Sequence, residues 1–337
     1  MRWANLGSDQ GTAALFGVDV VSRTFDTPEF SGITFHEVRA RSIVNRVPSA
    51  SQVPFSWTIN PYRGCSHACV YCFARNTHSY LDLDTGHDFD TQIVVKVNAP
   101  ELLRRELTAP RWQGGHIAMG TNVDCYQRAE GRYRLMPGII SALRDYANPF
   151  SILTKGTLIL RDLPLLAQAA AVTEVRTAVS VGFTDPQLWH DVEPGTPAPR
   201  ARLDACRTLN ASGIPCGVLM APVLPFLSDT PEQLDATVRA IATSGATSVT
   251  PLVLNLRPGA REWYFSWLAR RHPHLVPRYE RLYHHSAYAP TWYQQRVTRQ
   301  VRELSAAHGL APMLSETPSP RPVPEPAAPT PTQLSLL

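Results

Sequence analysis

The run NPYRGCSHACVYCFAR, residues 60–75, places Cys65, Cys69 and Cys72 in a CxxxCxxC spacing, and the β-rich stretch FSWTIN (55–60) leads straight into it. Three thiolates delivered by one short loop can converge on a soft-metal centre. An iron–sulfur cluster usually takes four cysteines. Here Cys125, Cys206 and Cys216 fall on separate later units, so a cluster held by this loop would keep one iron without a protein ligand. An open metal position marks a catalytic site rather than a structural one. The competing reading is a structural zinc site with His67 or His78 as fourth ligand, although such sites generally build from paired CxxC knuckles.

Outward from that loop the chain alternates short β-rich runs with helical patterns. After FSWTIN come GHIAMGT (115–121), FSILTK (150–155), VRTAVSVGF (175–183), IPCGVLMAPV (214–223) and ATSVTPLVL (246–254). Stretches apolar at helical spacing, such as LMPGIISALRDYA (135–147), lie between them. This alternation is the signature of βαβ units and a parallel sheet. Six units are too few for an eight-fold barrel, so the expected fold is α/β, a partial (βα)6 TIM-like barrel with its site at the C-terminal strand ends. Asp229 or Thr230 is placed to cap the helix TPEQLDATVRAIATSG (230–245), and Gly213 to close the one before it. TQIVVKVN (91–98) reads as an additional short strand. Residues 1–50 read as an irregular N-terminal extension with one or two strands, 51–256 as the core and 257–310 as a helical region. Residues 311–337 hold eight prolines in 27 residues and read as a solvated tail.

With 337 residues, 44% apolar and 18% charged, the chain can bury a full core, yet no stretch approaches the ~20 apolar residues of a membrane helix. The start, MRWANLGSDQ, lacks a basic region and an apolar run, so the expected location is cytoplasmic. In that reducing compartment six cysteines are expected as ligands, catalysts or core residues, not disulfides. The net charge of +4 hides an imbalance: among 32 basic residues only Lys96 and Lys155 are lysines.

CSHACVYC, with the aromatic Tyr71 just before its last cysteine, resembles the CxxxCxΦC signature of the radical S-adenosylmethionine (radical SAM) superfamily, where Φ is aromatic. The resemblance spans roughly residues 51–255. It implies that Cys65, Cys69 and Cys72 hold a [4Fe–4S] cluster whose fourth iron is chelated by S-adenosylmethionine, and that one electron cleaves the cosubstrate to a 5′-deoxyadenosyl radical. It implies further that Tyr71 packs near the adenine. The segment GTNVDCYQ (120–127) stands where the family binds the cosubstrate amino group, which makes Thr121, Asn122 and Asp124 candidates. Lys155, at the end of the third strand, suits a carboxylate such as that of the methionine moiety. Ser180 resembles the family's ribose or carboxylate contact, and Glu193 with Arg202 form a polar pair after the fourth strand.

The string YRGCSHACVYC, GTNVDCYQ, TKGTLILRDLPLL, VSVGFTD and GIPCGVLMAPVLPFLSD is similar to the branch of spore photoproduct lyase and its relatives. That likeness implies hydrogen-atom chemistry on DNA, with Cys125 as candidate hydrogen-return residue, and an electron donor such as flavodoxin or ferredoxin. Between residues 257 and 302, nine arginines face two glutamates, with nine aromatics interleaved. Basic charge with aromatics is what recognition of unpaired DNA or RNA requires, though buried aromatics on a solvated arginine-rich helix would read alike. The chain closes on QLSLL (333–337), which is similar to the pentapeptide that docks repair proteins on the bacterial sliding clamp, with Gln333, Leu334 and Leu337 at the anchoring positions. The expectation is a radical SAM enzyme acting on nucleic acid in a DNA-repair-like role. The alternatives are a radical enzyme modifying a protein or small molecule, and a non-catalytic iron–sulfur or zinc module.

Overall fold

The computed structural model describes residues 20–48, 51 and 53–310. Its strands are β1 (Val20–Arg23), β2 (Thr34–Val38), β3 (Val44–Arg46), β4 (Trp57–Ile59), β5 (Tyr62–Arg63), β6 (Gln92–Lys96), β7 (Ile117–Met119), β8 (Phe150–Thr154), β9 (Val175–Ser180), β10 (Cys216–Val223) and β11 (Val249–Val253). The main sheet runs β11-β10-β9-β8-β7-β4-β3. Its six strands from β4 to β11 pair in parallel, in registers such as Trp57↔Ile117, Ile117↔Phe150, Phe150↔Val175 and Val218↔Val249. These are the six runs expected from the sequence, and the sheet stays open, with β3 antiparallel on the β4 edge.

Parallel strands need a crossover, and a helix lies in each: Ala99–Leu107 before β7, Leu135–Asp145 between β7 and β8, Leu163–Ala170 before β9, Pro199–Ala211 before β10 and Pro231–Thr243 before β11. Leu135–Asp145 buries Leu135, Met136, Ile139, Ile140 and Leu143, the stripe its apolar spacing dictates. Thr230 caps Pro231–Thr243 in a box with Gln233. Asp229, the other cap candidate, instead accepts hydrogen bonds from Tyr293 and Arg296. Gly213 takes φ +77° just past Pro199–Ala211, where a side chain would be strained. Phe150, at the start of the central strand, is fully buried, a placement that stabilises by roughly 1.5–3 kcal/mol.

The stretch before the core is more ordered than its composition implies. Three strands form within residues 20–48, and β2 pairs in parallel with β6 in a second sheet of order β1-β2-β6-β5. Phe30, Ile33, Phe35 and Ile43 join the same core as the main sheet. Scattered apolar positions without period hid this, because β2 finds its partner 58 residues further on.

Helices Ala260–Arg271, Val276–Leu282 and Thr291–Ala307 follow β11. Most of their aromatics are structural: Tyr264, Trp267, Tyr279, Tyr283 and Tyr293 are buried. Tyr279 Oη donates to Pro225 O and Tyr283 Oη to Leu254 O at 2.7 Å, tying these helices to the segments that leave β10 and β11. Of the two readings of the interleaved aromatics, the structural one holds for these five and the stacking one is set aside for them. No described helix is long and apolar enough to cross a membrane. The pentapeptide 333–337 lies outside the described residues.

Candidate active site

The loop that follows β4 brings Cys65, Cys69 and Cys72 to the C-terminal end of the sheet. Backbone bonds fold it tightly: Ala68 N–H donates to Cys65 O and Cys72 N–H to Cys69 O, with Ala68 at φ 53°. The loop is also strapped from outside, as Val70 N–H donates to Val192 O at 3.0 Å and Gly195 N–H to His67 O at 3.1 Å. A Cβ on Gly195 would stand 2.1 Å from Ser66 O, so only glycine permits this approach. Gln127, fully buried, accepts from Ser66 N–H at 3.0 Å and donates to Gly64 O at 3.0 Å. Arg75, also fully buried, donates through Nη2 to Cys69 O at 2.9 Å and to Asp90.

Burial pushes the thiols of Cys65, Cys69 and Cys72 up, and the mutual repulsion of neighbouring cysteines adds to this at Cys65 and Cys69. Three thiolates this close, two of them buried and Cys72 half-buried, therefore need a cation among them, and a coordinating metal deprotonates a thiol outright. That donor chemistry fits an iron–sulfur cluster. Among the described residues no three His, Cys, Asp or Glu side chains group around a single metal ion. A four-iron cluster does not ask for that, because each cysteine binds its own iron. The histidines considered for zinc are engaged elsewhere: His78 Nε2 is 2.9 Å from Gln92 O, and His67 Nδ1 lies 3.4 Å from Asp124. Burial lowers His67 to a pKa of about 4.

Against this loop lies a buried charged network. Tyr71 Oη donates to Glu193, and Arg202 donates to Glu193 and, at 2.7 Å, to Ser180 O. Lys155 Nζ donates to Ser180 Oγ, lies 3.6 Å from Glu193 and sits 5.8 Å from the centre of the Tyr71 ring. Burial alone would raise the Glu193 carboxyl, but Arg202 and Lys155 outweigh it and hold the pKa at about 2. Tyr71, Lys155, Ser180, Glu193 and Arg202, scattered over 132 positions, thus meet in one place.

Asp124 is the hinge between two strand ends. Its carboxylate accepts from Thr154 Oγ1 at 2.7 Å, Lys155 N–H at 2.6 Å and Tyr126 N–H at 2.8 Å. Thr121 and Asn122 are half-buried and make no side-chain hydrogen bond among the described residues. Cys125 is fully buried, its thiol pushed well up by burial, then by Asp124 and Glu130. A cavity of about 270 Å3 opens beside the cysteine loop, with His67, Thr157 and Thr196 in its wall. Gln127 and Arg75, which hold the loop, lie inside the segments 120–127 and 60–75, but nothing in those segments marked them for this role.

Comparison with known proteins agrees with this architecture. An uncharacterized protein of Mycobacterium tuberculosis is 51% identical over 318 residues, covering 92% of this chain and 94% of its own. A mutant of spore photoproduct lyase shares the fold with a TM-score of 0.60 at 14% identity, over 82% of this chain and 79% of that one. Spore photoproduct lyase complexed with dinucleoside spore photoproduct gives 0.59 at 13%, over 82% and 80%. The family model described as the radical SAM superfamily matches residues 59–241, a span that takes in the cysteine loop and the four parallel strands β7 to β10. That span exceeds half of the sequence, and the chain belongs to the radical SAM superfamily, whose members use a [4Fe–4S] cluster and S-adenosylmethionine.

Proposed function

We propose that this enzyme cleaves S-adenosylmethionine reductively and acts on nucleic acid in a DNA-repair-like role. The observation that carries the first half is the meeting of Tyr71, Lys155, Ser180, Glu193 and Arg202 against the loop of Cys65, Cys69 and Cys72. The three cysteines would hold the cluster, which with its cosubstrate supplies one-electron cleavage to a 5′-deoxyadenosyl radical. Lys155 and Ser180 would bind the methionine carboxylate by charge and hydrogen bond. Thr121 and Asn122 offer uncommitted polar groups to its amino end, beside Asp124, whose carboxylate holds the two strand ends together. Tyr71 presents its ring to the adenine while Glu193 fixes its hydroxyl. Arg202 neutralises Glu193 and orients the end of β9. The burial of this set keeps water from the reacting atoms.

The basic balance of residues 257–302 supports the nucleic-acid half. The shared fold with spore photoproduct lyase, solved in complex with a dinucleoside photoproduct, agrees with it. Burial keeps Cys125 a protonated thiol, the form that can return a hydrogen atom. Gln333, Leu334 and Leu337 would dock the enzyme on the sliding clamp, and a flavodoxin or ferredoxin would deliver the electron. The burial of five aromatics favours, as a second reading, a protein or small-molecule substrate with the C-terminal helices purely structural. The test is cosubstrate turnover by the reconstituted enzyme with ultraviolet-irradiated DNA against intact DNA. Lesion loss with recovery of the intact base is expected, and that recovery should fail in Cys125→Ala, which lacks the thiol that returns the hydrogen atom; turnover indifferent to any nucleic acid overturns the substrate assignment. Deleting 333–337 should abolish clamp binding and leave turnover intact.

A further inference from the structure

Among the large apolar side chains of the C-terminal helical region, two aromatics stay out of the core: Tyr288 at 46% and Trp292 at 62% exposed. Both stand close to the mouth of the sheet. Asn255, two residues past β11, forms a bridge with Tyr288, and Arg257 Nη2 donates to Tyr288 Oη at 2.6 Å. The Arg257 guanidinium also lies 5.5 Å from the ring centre of Phe73, which directly follows Cys72 and is 37% exposed. A line of exposed groups thus leads from the cysteine loop through Phe73 and Arg257 to Tyr288.

Helix Thr291–Ala307 continues that line. It buries Tyr293, Val297, Val301 and Ser305, which leaves Trp292, Gln295, Arg299 and Arg302 exposed at a spacing of three, four and three residues, one stripe along its length. Arg299 and Arg302 form no ion pair among the described residues; Arg296 of the same helix and His308 just past its end take the pairs with Asp229 and Asp235. The stripe holds no aliphatic residue, as a protein-docking face would; it sets one aromatic plane and an amide ahead of two guanidinium groups.

We propose that Tyr288, Trp292, Arg299 and Arg302 form a track for an unpaired DNA strand entering or leaving the active site. Trp292 offers a face on which a base can stack whatever its identity, and the two arginines follow the phosphates. The inference rests on the nucleic-acid reading above and adds where the strand outside the reaction centre runs.

The test is fluorescence anisotropy of a labelled single-stranded DNA 20-mer with the reconstituted full-length enzyme across a salt series. Trp292→Ala should weaken binding by about ten-fold. Arg299→Ala combined with Arg302→Ala should lower the slope of log affinity against log salt by roughly 1.4. Melting curves of these surface variants report that the fold is kept. Wild-type binding that the variants leave unchanged overturns the track and leaves the nucleic-acid reading standing. A wild type that binds no DNA at low salt overturns both. Tighter binding of an RNA strand of the same sequence overturns the assignment to DNA.

Discussion

Arg202 and Glu193 face each other with about 1% of either side chain exposed, and the guanidinium that neutralises Glu193 also holds Ser180 O at 2.7 Å. One buried ion pair therefore joins helix Pro199–Ala211 to the end of β9 and, through Glu193, to Tyr71 beside the last cysteine. Buried pairs of this kind add little net stability when intact but are costly to break on one side. Arg202→Ala should destabilise the fold by about 3 kcal/mol, measured by urea unfolding, because it removes the nearest counter-charge of buried Glu193 and leaves only Lys155 at 3.6 Å. Arg202→Ala with Glu193→Ala should recover part of that loss.

Gly195 brings the loop between helices Pro186–Val192 and Pro199–Ala211 onto the cysteine loop so closely that a methyl group would stand 2.1 Å from Ser66 O. Gly195→Ala should lower the iron bound on reconstitution and cost about 1–3 kcal/mol of stability by overpacking. Gly213→Ala is the control, since nothing lies within 4 Å and only its φ of +77° is strained. It should lose stability without losing iron.

Lys155 donates to Ser180 and approaches Glu193 at 3.6 Å, presenting its charge at the C-terminal end of β8. Lys155→Met should raise the dissociation constant for S-adenosylmethionine at least ten-fold, as loss of a charge-assisted hydrogen bond requires. Iron content should be unchanged, which separates a cosubstrate contact from a fold defect.

Lys96 is the other lysine, and burial lowers its pKa from 10.5 to about 8, Arg63 adding to the effect and Glu106 opposing it. Between those values the unfolded chain holds a proton that the folded one has released, so the residue makes stability rise with pH across that window. Lys96→Met should therefore stabilise the protein by about 1–3 kcal/mol at pH 7. The difference between variant and wild type should vanish above pH 10.5, where both states carry a neutral amine.

The six parallel strands were legible because strands buried on both faces read as near-continuous apolar runs, and Thr230 announced its helix by a local capping pattern. The three cysteines were legible from spacing alone, Lys155 from the scarcity of lysine and its place at a strand end, and Tyr71, Ser180, Glu193 and Arg202 from the family likeness. What escaped is what depends on distance along the chain. Gln127 bonds to Gly64 and Ser66 across some sixty residues, and β2 pairs with β6 across 58, without any repeat or period that could announce it. The aromatics of the C-terminal helices left two readings open for a related reason, since spacing cannot tell a ring that fills a core, such as Tyr279, from one that faces solvent, such as Trp292.

The central claim is reductive cleavage of S-adenosylmethionine by a cluster on Cys65, Cys69 and Cys72. The most direct measurement is the formation of 5′-deoxyadenosine after anaerobic reconstitution with iron and sulfide and reduction with dithionite, in wild type and Cys69→Ala. Product from the wild type, absent in Cys69→Ala while that variant keeps its fold, is the predicted result. Wild-type protein that takes up iron and sulfide yet yields no 5′-deoxyadenosine, or a Cys69→Ala variant that yields as much, would contradict it.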